Sequence, residues 1–235
     1  MKITEHVIHD VYARYARLSP MYFSKYVKVP QFPGQKEDGP WNINRQWDGH
    51  DFPRVWCLLD FIEWTKYMDI GGHLGYTCDG DPELEFIEKR FNKKTYLPYP
   101  PYDLHDLPEM KDKFDFFLFN QTIEHLHSPD VAIANIHKNM NPGGYVFTSV
   151  PTINIPHMTP VHFGGFTPMG LLMLFAKNGF EIVRNGQWGN HKYIDLMFRN
   201  QTWPDFNDLK DEFGNVPNEQ NNCCQCWVLA QKGNS

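Results

Sequence analysis

The chain has no apolar run long enough to cross a bilayer and no run of lysines and arginines longer than Lys93-Lys94. The first absence leaves no candidate for a membrane-spanning helix. The second, with a formal net charge of -6 over 235 residues, leaves no general attraction to the phosphates of nucleic acid. The start, Met1-Lys2-Ile3-Thr4-Glu5-His6, lacks the apolar core of a signal peptide, so a cytoplasmic protein is expected. Cysteines number five, and an odd count argues against a secreted disulfide framework. Three of them fall in Cys223-Cys224-Gln225-Cys226, but no second cluster with zinc-finger spacing completes four ligands. The run continues as Trp227-Val228-Leu229-Ala230, which reads as a terminal strand of reduced cysteines, and no metal centre is expected. Internal repeats and low-complexity tracts are also lacking.

With 41% hydrophobic and 15% aromatic residues, the chain can bury one sizeable core. Residues 1–53 read as an extension: an amphipathic helix to about Leu18, then a proline- and glycine-interrupted segment holding Trp41 and Trp47, expected to be an ordered aromatic lid. Residues 54–235 form the expected main domain. A helix over 54–65 leads to a short apolar strand over 66–70, followed by glycines that let the backbone turn sharply. Pro82 suits the first turn of a helix, with Glu83 and Glu85 near its start and Lys89 and Arg90 near its end. A weak strand over 94–99 ends in prolines, and the nearly all-apolar stretch 114–119 reads as a strand buried on both faces. Ser128-Pro129 opens a helix that stops at Asn141-Pro142-Gly143-Gly144; residues 145–150 form the next strand. Thr167-Pro168 opens another helix that stops at Gly179, before a strand over 180–183. Strands alternating with helices predict an α/β fold with a mostly parallel sheet covered on both faces.

Three motifs stand in order. The first is Asp69-Ile70-Gly71-Gly72-His73-Leu74-Gly75, the second Asp103-Leu104-His105-Asp106-Leu107-Pro108, and the third the strand ending Asn120-Gln121-Thr122-Ile123-Glu124-His125-Leu126 with Asn141-Pro142-Gly143-Gly144 downstream. Together they resemble the class I S-adenosylmethionine-dependent methyltransferases, particularly the small-molecule group. The resemblance implies a Rossmann-like, seven-stranded, mostly parallel sheet with helices on both faces, S-adenosylmethionine as cofactor and a small-molecule methyl acceptor. It implies a cofactor loop of Asp69, Gly71, Gly72, His73 and Gly75, an adenine contact at Asp103 and Leu104, and a floor near the methyl group at Asn120 and Gln121. His73 departs from the family pattern, replacing its middle glycine, and 94–99 ends without the usual ribose-binding acid. Asp79, Asp81 and Glu83 are the nearest acids, with no assignment among them.

Methyl transfer is an in-line displacement, so holding the nucleophile close and aligned supplies much of the acceleration. A hydroxyl acceptor also needs a base, and His125 and His162 are the catalytic candidates, with His157 behind them. Two other readings stay open: a non-catalytic methyltransferase-like partner subunit, and a nicotinamide-dependent oxidoreductase, which shares the glycine turn but not the tight Gly-x-Gly-x-x-Gly spacing.

Overall fold

The computed structural model describes residues 5–18, 51–157 and 161–234. Most of the expected aromatic lid falls outside these residues. The elements are helices α1 Glu5–Leu18, α2 Phe52–Thr65, α3 Pro82–Ile87, α4 Pro129–Lys138, α5 Pro168–Lys177, α6 His191–Asn200 and α7 Phe206–Leu209, with strands β1 His73–Tyr76, β2 Lys93–Tyr96, β3 Phe114–Leu118, β4 Met140–Pro151, β5 Phe180–Gly189 and β6 Cys223–Lys232. Among the described residues the sheet has six strands, one fewer than the resemblance implies, in the order β2-β1-β3-β4-β6-β5. The β1, β2, β3 and β4 pairings are parallel, while β6 runs antiparallel between β4 and β5.

Alternation from Phe116 onward divides the core: Phe117 and Phe119 join Ile133, Leu171 and Val11 on the side of α1, α4 and α5, whereas Phe116 and Leu118 join Phe61, Leu84 and Tyr193 on the side of α2, α3 and α6. Phe114, before the register shift in β3, lies on the first side as well. Both faces are therefore covered, as a parallel sheet requires. Helix α1 packs on α5 and β5, where Val11 is buried and the Arg14 guanidinium donates to the Ile182 carbonyl.

Residues 66–70 are not a strand. Tyr67 is exposed, and the segment instead closes the end of α2: the Arg90 guanidinium donates to the Thr65 carbonyl (2.8 Å) and to that of Met68. The first strand lies seven residues later, at His73. Gly72 makes this entry possible with a φ of +80°, since a Cβ there would come 2.1 Å from Asp115 Oδ2. That same carboxylate oxygen accepts from the His73 amide at 2.7 Å. The His73 ring is buried and stitches three strands together, its Nδ1 lying 3.1 Å from the Lys113 carbonyl and its Nε2 2.8 Å from Thr95 Oγ1. Burial lowers its pKa, as suits a neutral structural imidazole.

Three further differences have local causes. Asn141-Pro142-Gly143-Gly144 lies inside β4 as a bulge, because Phe114 pairs with Met140 while Phe116 pairs with Tyr145. Strand β5 continues to Gly189 through Asn185 and Gln187, polar residues that are buried on the sheet; Gly186 admits the Trp227 indole, whose Nε1 would lie 2.2 Å from a Cβ. Helix α6 is capped by Asn190, which accepts from the Tyr193 amide at 3.1 Å, and buries Tyr193 and Met197 one turn apart. The cysteines of β6 are free thiols in a strand, with Cys224 and Cys226 buried.

Candidate active site

The chain leaves β1 to the outer strand β2, then returns past β1 to β3, so strand order reverses at β1. In parallel sheets such a reversal opens a crevice at the carboxyl ends of the strands. A cavity of about 600 Å³ lies there, within the range of small-ligand pockets. Thr77, Cys78 and Asp81 line it from the loop after β1, and Tyr96, Leu97 and Pro98 from the end of β2. Asp103, Leu104 and His105 form one wall; Asn120, Gln121 and Thr122, after β3, form another. His125, His127, Val161 and Phe163 close the far end.

Of the residues expected at the site, Asp103, Leu104, Asn120, Gln121 and His125 come together on this cavity, whereas Asp69, Gly71, Gly72, His73 and Gly75 are not on its wall. They precede or build β1, and the loop that faces the cavity is 77–81. Chain length could have located it: a βα loop is usually two to six residues, and 71–81 is too long to join a strand at 66–70 to the helix beginning at Pro82. His162 is not on the wall either. It lies behind His125, the ring centroids 6.1 Å apart.

Asp81 belongs to a buried polar network that sequence reading did not assemble. Arg54, on α2, donates from Nη1 to Ser149 Oγ at 2.8 Å and from Nη2 to Asp81 Oδ1 and Glu83 Oε2, each at 3.4 Å. Ser149 Oγ donates to Asn120 Oδ1 at 3.1 Å and accepts from Gln121 Nε2 at 3.1 Å. One guanidinium thus ties α2, the loop after β1, β4 and the end of β3 into a rigid floor. Burial raises the Asp81 pKa to about 7, against the lowering effect of Arg54. Among the described residues Asp81 Oδ2 and Asn120 Nδ2 have no hydrogen-bond partner of ordinary geometry, although Asn120 lies close enough to lower the Asp81 pKa. Polar atoms so loosely satisfied on a cavity wall suit a polar ligand.

Asp103 caps the short 3-10 turn that follows it, accepting from the His105 amide at 2.9 Å and from His105 Nδ1 at 2.7 Å. The backbone bond is the larger cause holding its carboxyl below the usual range. His105 Nε2 accepts from the Ser128 amide at 3.2 Å, and its ring stacks on His127 with centroids 3.9 Å apart. Tyr96 stacks on Tyr76 at 5.2 Å where the resemblance leads one to expect an acid. The charge pattern is one-sided: among the described residues no lysine or arginine lines the cavity, and its acids are Asp81 and Asp103. Asp81 also stands at the N-cap of α3, followed by Glu83. Carboxylates at that position take the place that a pyrophosphate would need, which disfavours the dinucleotide reading, and Arg54 already pairs with both of them.

Residues 62–196 match the family described as a methyltransferase domain. Among solved structures, a candidate methyltransferase from Bacillus halodurans C-125 superposes with a TM-score of 0.50 at 11% identity, covering 75% of this chain and 98% of that one. The N-methyltransferase NodS from Bradyrhizobium japonicum WM9, in complex with S-adenosyl-L-homocysteine, gives a TM-score of 0.50 at 10% identity, covering 97% of this chain and 99% of that one. A search of curated proteins finds no match. The family match spans more than half of the chain, and with the strand order and the cavity at its reversal it leads to one conclusion: this enzyme belongs to the class I S-adenosylmethionine-dependent methyltransferase superfamily.

Proposed function

We propose that the enzyme methylates an oxygen or nitrogen of a small polar molecule, a sugar or related metabolite, and that the cavity at the ends of β1, β2 and β3 holds both cofactor and acceptor. The observation that carries this reading is the cavity's chemistry: acids, amide groups and aromatic rings, with no cationic side chain among the described residues. S-adenosylmethionine supplies an electrophilic methyl group on a sulfonium when bound. Asp81 receives its ammonium end, Asp103 and the Leu104 amide hold the adenine, and Asn120 and Gln121 bound the space beside the methyl group. Tyr96, Tyr99, Tyr102 and Phe163 also line the cavity, and aromatic rings beside a ligand favour a sulfonium over a neutral thioether.

The acceptor enters from the histidine end. His125 Nδ1 donates to the Val161 carbonyl at 2.9 Å, which leaves Nε2 with a lone pair. Burial lowers the His125 pKa, so the ring is neutral near pH 7 and can take the proton that a hydroxyl or ammonium acceptor must shed. His162 stands behind it as a positioning residue.

The test supplies S-adenosylmethionine labelled in its methyl group to the enzyme with panels of small hydroxylated and amino compounds, alongside calorimetry with the cofactor alone. Cofactor binding and labelled product from one panel are expected. Absence of binding at millimolar cofactor would overturn the reading and favour a non-catalytic partner subunit.

A further inference from the structure

Glu124, His125, His157 and His162 meet where the turn after β3 touches the segment after β4, an approach held by the Phe163 amide donating to the Glu124 carbonyl at 2.8 Å. His125 Nδ1 lies 2.9 Å from the Val161 carbonyl and His157 Nδ1 lies 3.1 Å from that of Ile155. A carbonyl can only accept, so both Nδ1 atoms carry hydrogen, and each neutral ring keeps its lone pair on Nε2. Those two Nε2 atoms are 3.3 Å apart. Facing lone pairs at that distance repel unless a proton shared by the two rings, or a metal ion bound by both, lies between them.

The charge around them asks for the same thing. The Glu124 carboxylate has an oxygen 4.0 Å from His125 Nε2, the residue is 1% exposed, and apart from its own backbone amide neither carboxylate oxygen has a hydrogen-bond partner among the described residues. One ligand atom from each of Glu124, His125 and His157 lies within 4.8 Å of the others. Two metal bonds of about 2.1 Å at a tetrahedral angle span roughly 3.4 Å, close to the separation of the two imidazole nitrogens. Each imidazole is also oriented by an Nδ1–H bond to a backbone carbonyl, the support that metal-binding histidines commonly have. His162 adds a further ring 4.7 Å from that of His157, its Nδ1 buried without a partner.

We propose that Glu124, His125 and His157 bind a divalent first-row transition-metal ion, two imidazoles and one carboxylate supplying the ligands. The donor set is of the kind that zinc and ferrous iron accept. Because His125 lines the cavity, the ion sits at its acceptor end. A consequence, which rests on the methyl-transfer reading, is that with the ion bound the His125 Nε2 lone pair holds the metal in place of accepting the acceptor's proton, and the ion lowers the pKa of a coordinated acceptor hydroxyl so that solvent takes that proton.

Untagged protein stripped with a chelator is titrated with Zn²⁺ by calorimetry and with Co²⁺ by visible absorption. The expected result is one ion per chain, tetrahedral-type Co²⁺ bands, and an affinity about tenfold or more weaker in both His157→Ala and Glu124→Gln. Far-ultraviolet dichroism of each variant identifies one that has failed to fold. Absence of saturable uptake by the wild type, or uptake that folded forms of both variants retain undiminished, would overturn the proposal. A parallel cofactor titration keeps the two readings apart, since failure to bind S-adenosylmethionine removes the methyl-transfer reading and leaves the metal result standing.

Discussion

Replacing Glu124 with glutamine should stabilise the metal-free protein, and by an amount that depends on pH. Among the described residues the buried Glu124 carboxylate has no hydrogen-bond partner beyond its own backbone amide, and burial raises its pKa from 4.5 to about 7. The folded protein therefore keeps this proton in the interval from about 4.5 to 7 while the unfolded chain has lost it. More protons are bound by the folded state, so stability falls as pH rises through that window and levels off above it. The full penalty corresponds to roughly 3 kcal/mol. Glutamine has the shape of the protonated acid and carries no charge at any pH in the range. The variant should lie close to the wild type at pH 5 and exceed it by roughly 3 kcal/mol at pH 8.5, which for a domain of this size is a gain of roughly 6–12 °C in melting temperature. Thermal melts in chelator at the two pH values measure it. A stability difference that does not change with pH would refute the reasoning, because it would mean that the Glu124 carboxylate ionises in the folded protein as easily as in water.

Other consequences follow from single contacts. Arg54→Met leaves Asp81 and Glu83 buried without their cation and should cost about 3–5 kcal/mol in urea unfolding at pH 8. Gly72→Ala should destabilise by roughly 2 kcal/mol through its positive φ and the Asp115 clash, whereas Gly71→Ala, which meets only the Arg90 carbonyl at 3.4 Å, should stay within about 0.5 kcal/mol and bind cofactor as the wild type does. Asp81→Asn should weaken S-adenosylmethionine by about tenfold in calorimetry, since a neutral amide replaces the acid facing a cation.

The alternation of elements was legible because buried strands and capped helices leave local marks: the apolar run of β3, Thr167 accepting from the Gly170 amide at 3.2 Å, and the proline-led first turns of α3, α4 and α5. The start of β1 was not. Met68 and Ile70 are apolar, yet they close α2, while the true strand carries a histidine, a glycine and a tyrosine whose fit depends on Thr95, Lys113 and Phe117 from neighbouring strands. Propensity reads neighbours in sequence, and these are neighbours in space. For the same reason Asp103, Leu104, Asn120 and Gln121, which sit directly after strands or in short turns, were placed on the cavity, while the Arg54 network joins residues as far as 95 positions apart and left no local signal. The histidine cluster was half visible: His125, His157 and His162 were noticed one by one, and Glu124 gains its meaning from a loop that returns to it.

The central claim is that the loop after β1, residues 77–81, holds the cofactor and that 69–72 does not. Hydrogen exchange followed by mass spectrometry, with and without saturating S-adenosylmethionine, tests it directly. The account predicts slowed exchange in peptides covering 77–81, 103–105 and 120–122 and unchanged exchange over 69–72. Protection concentrated at 69–72, with 77–81 unaffected, would contradict it.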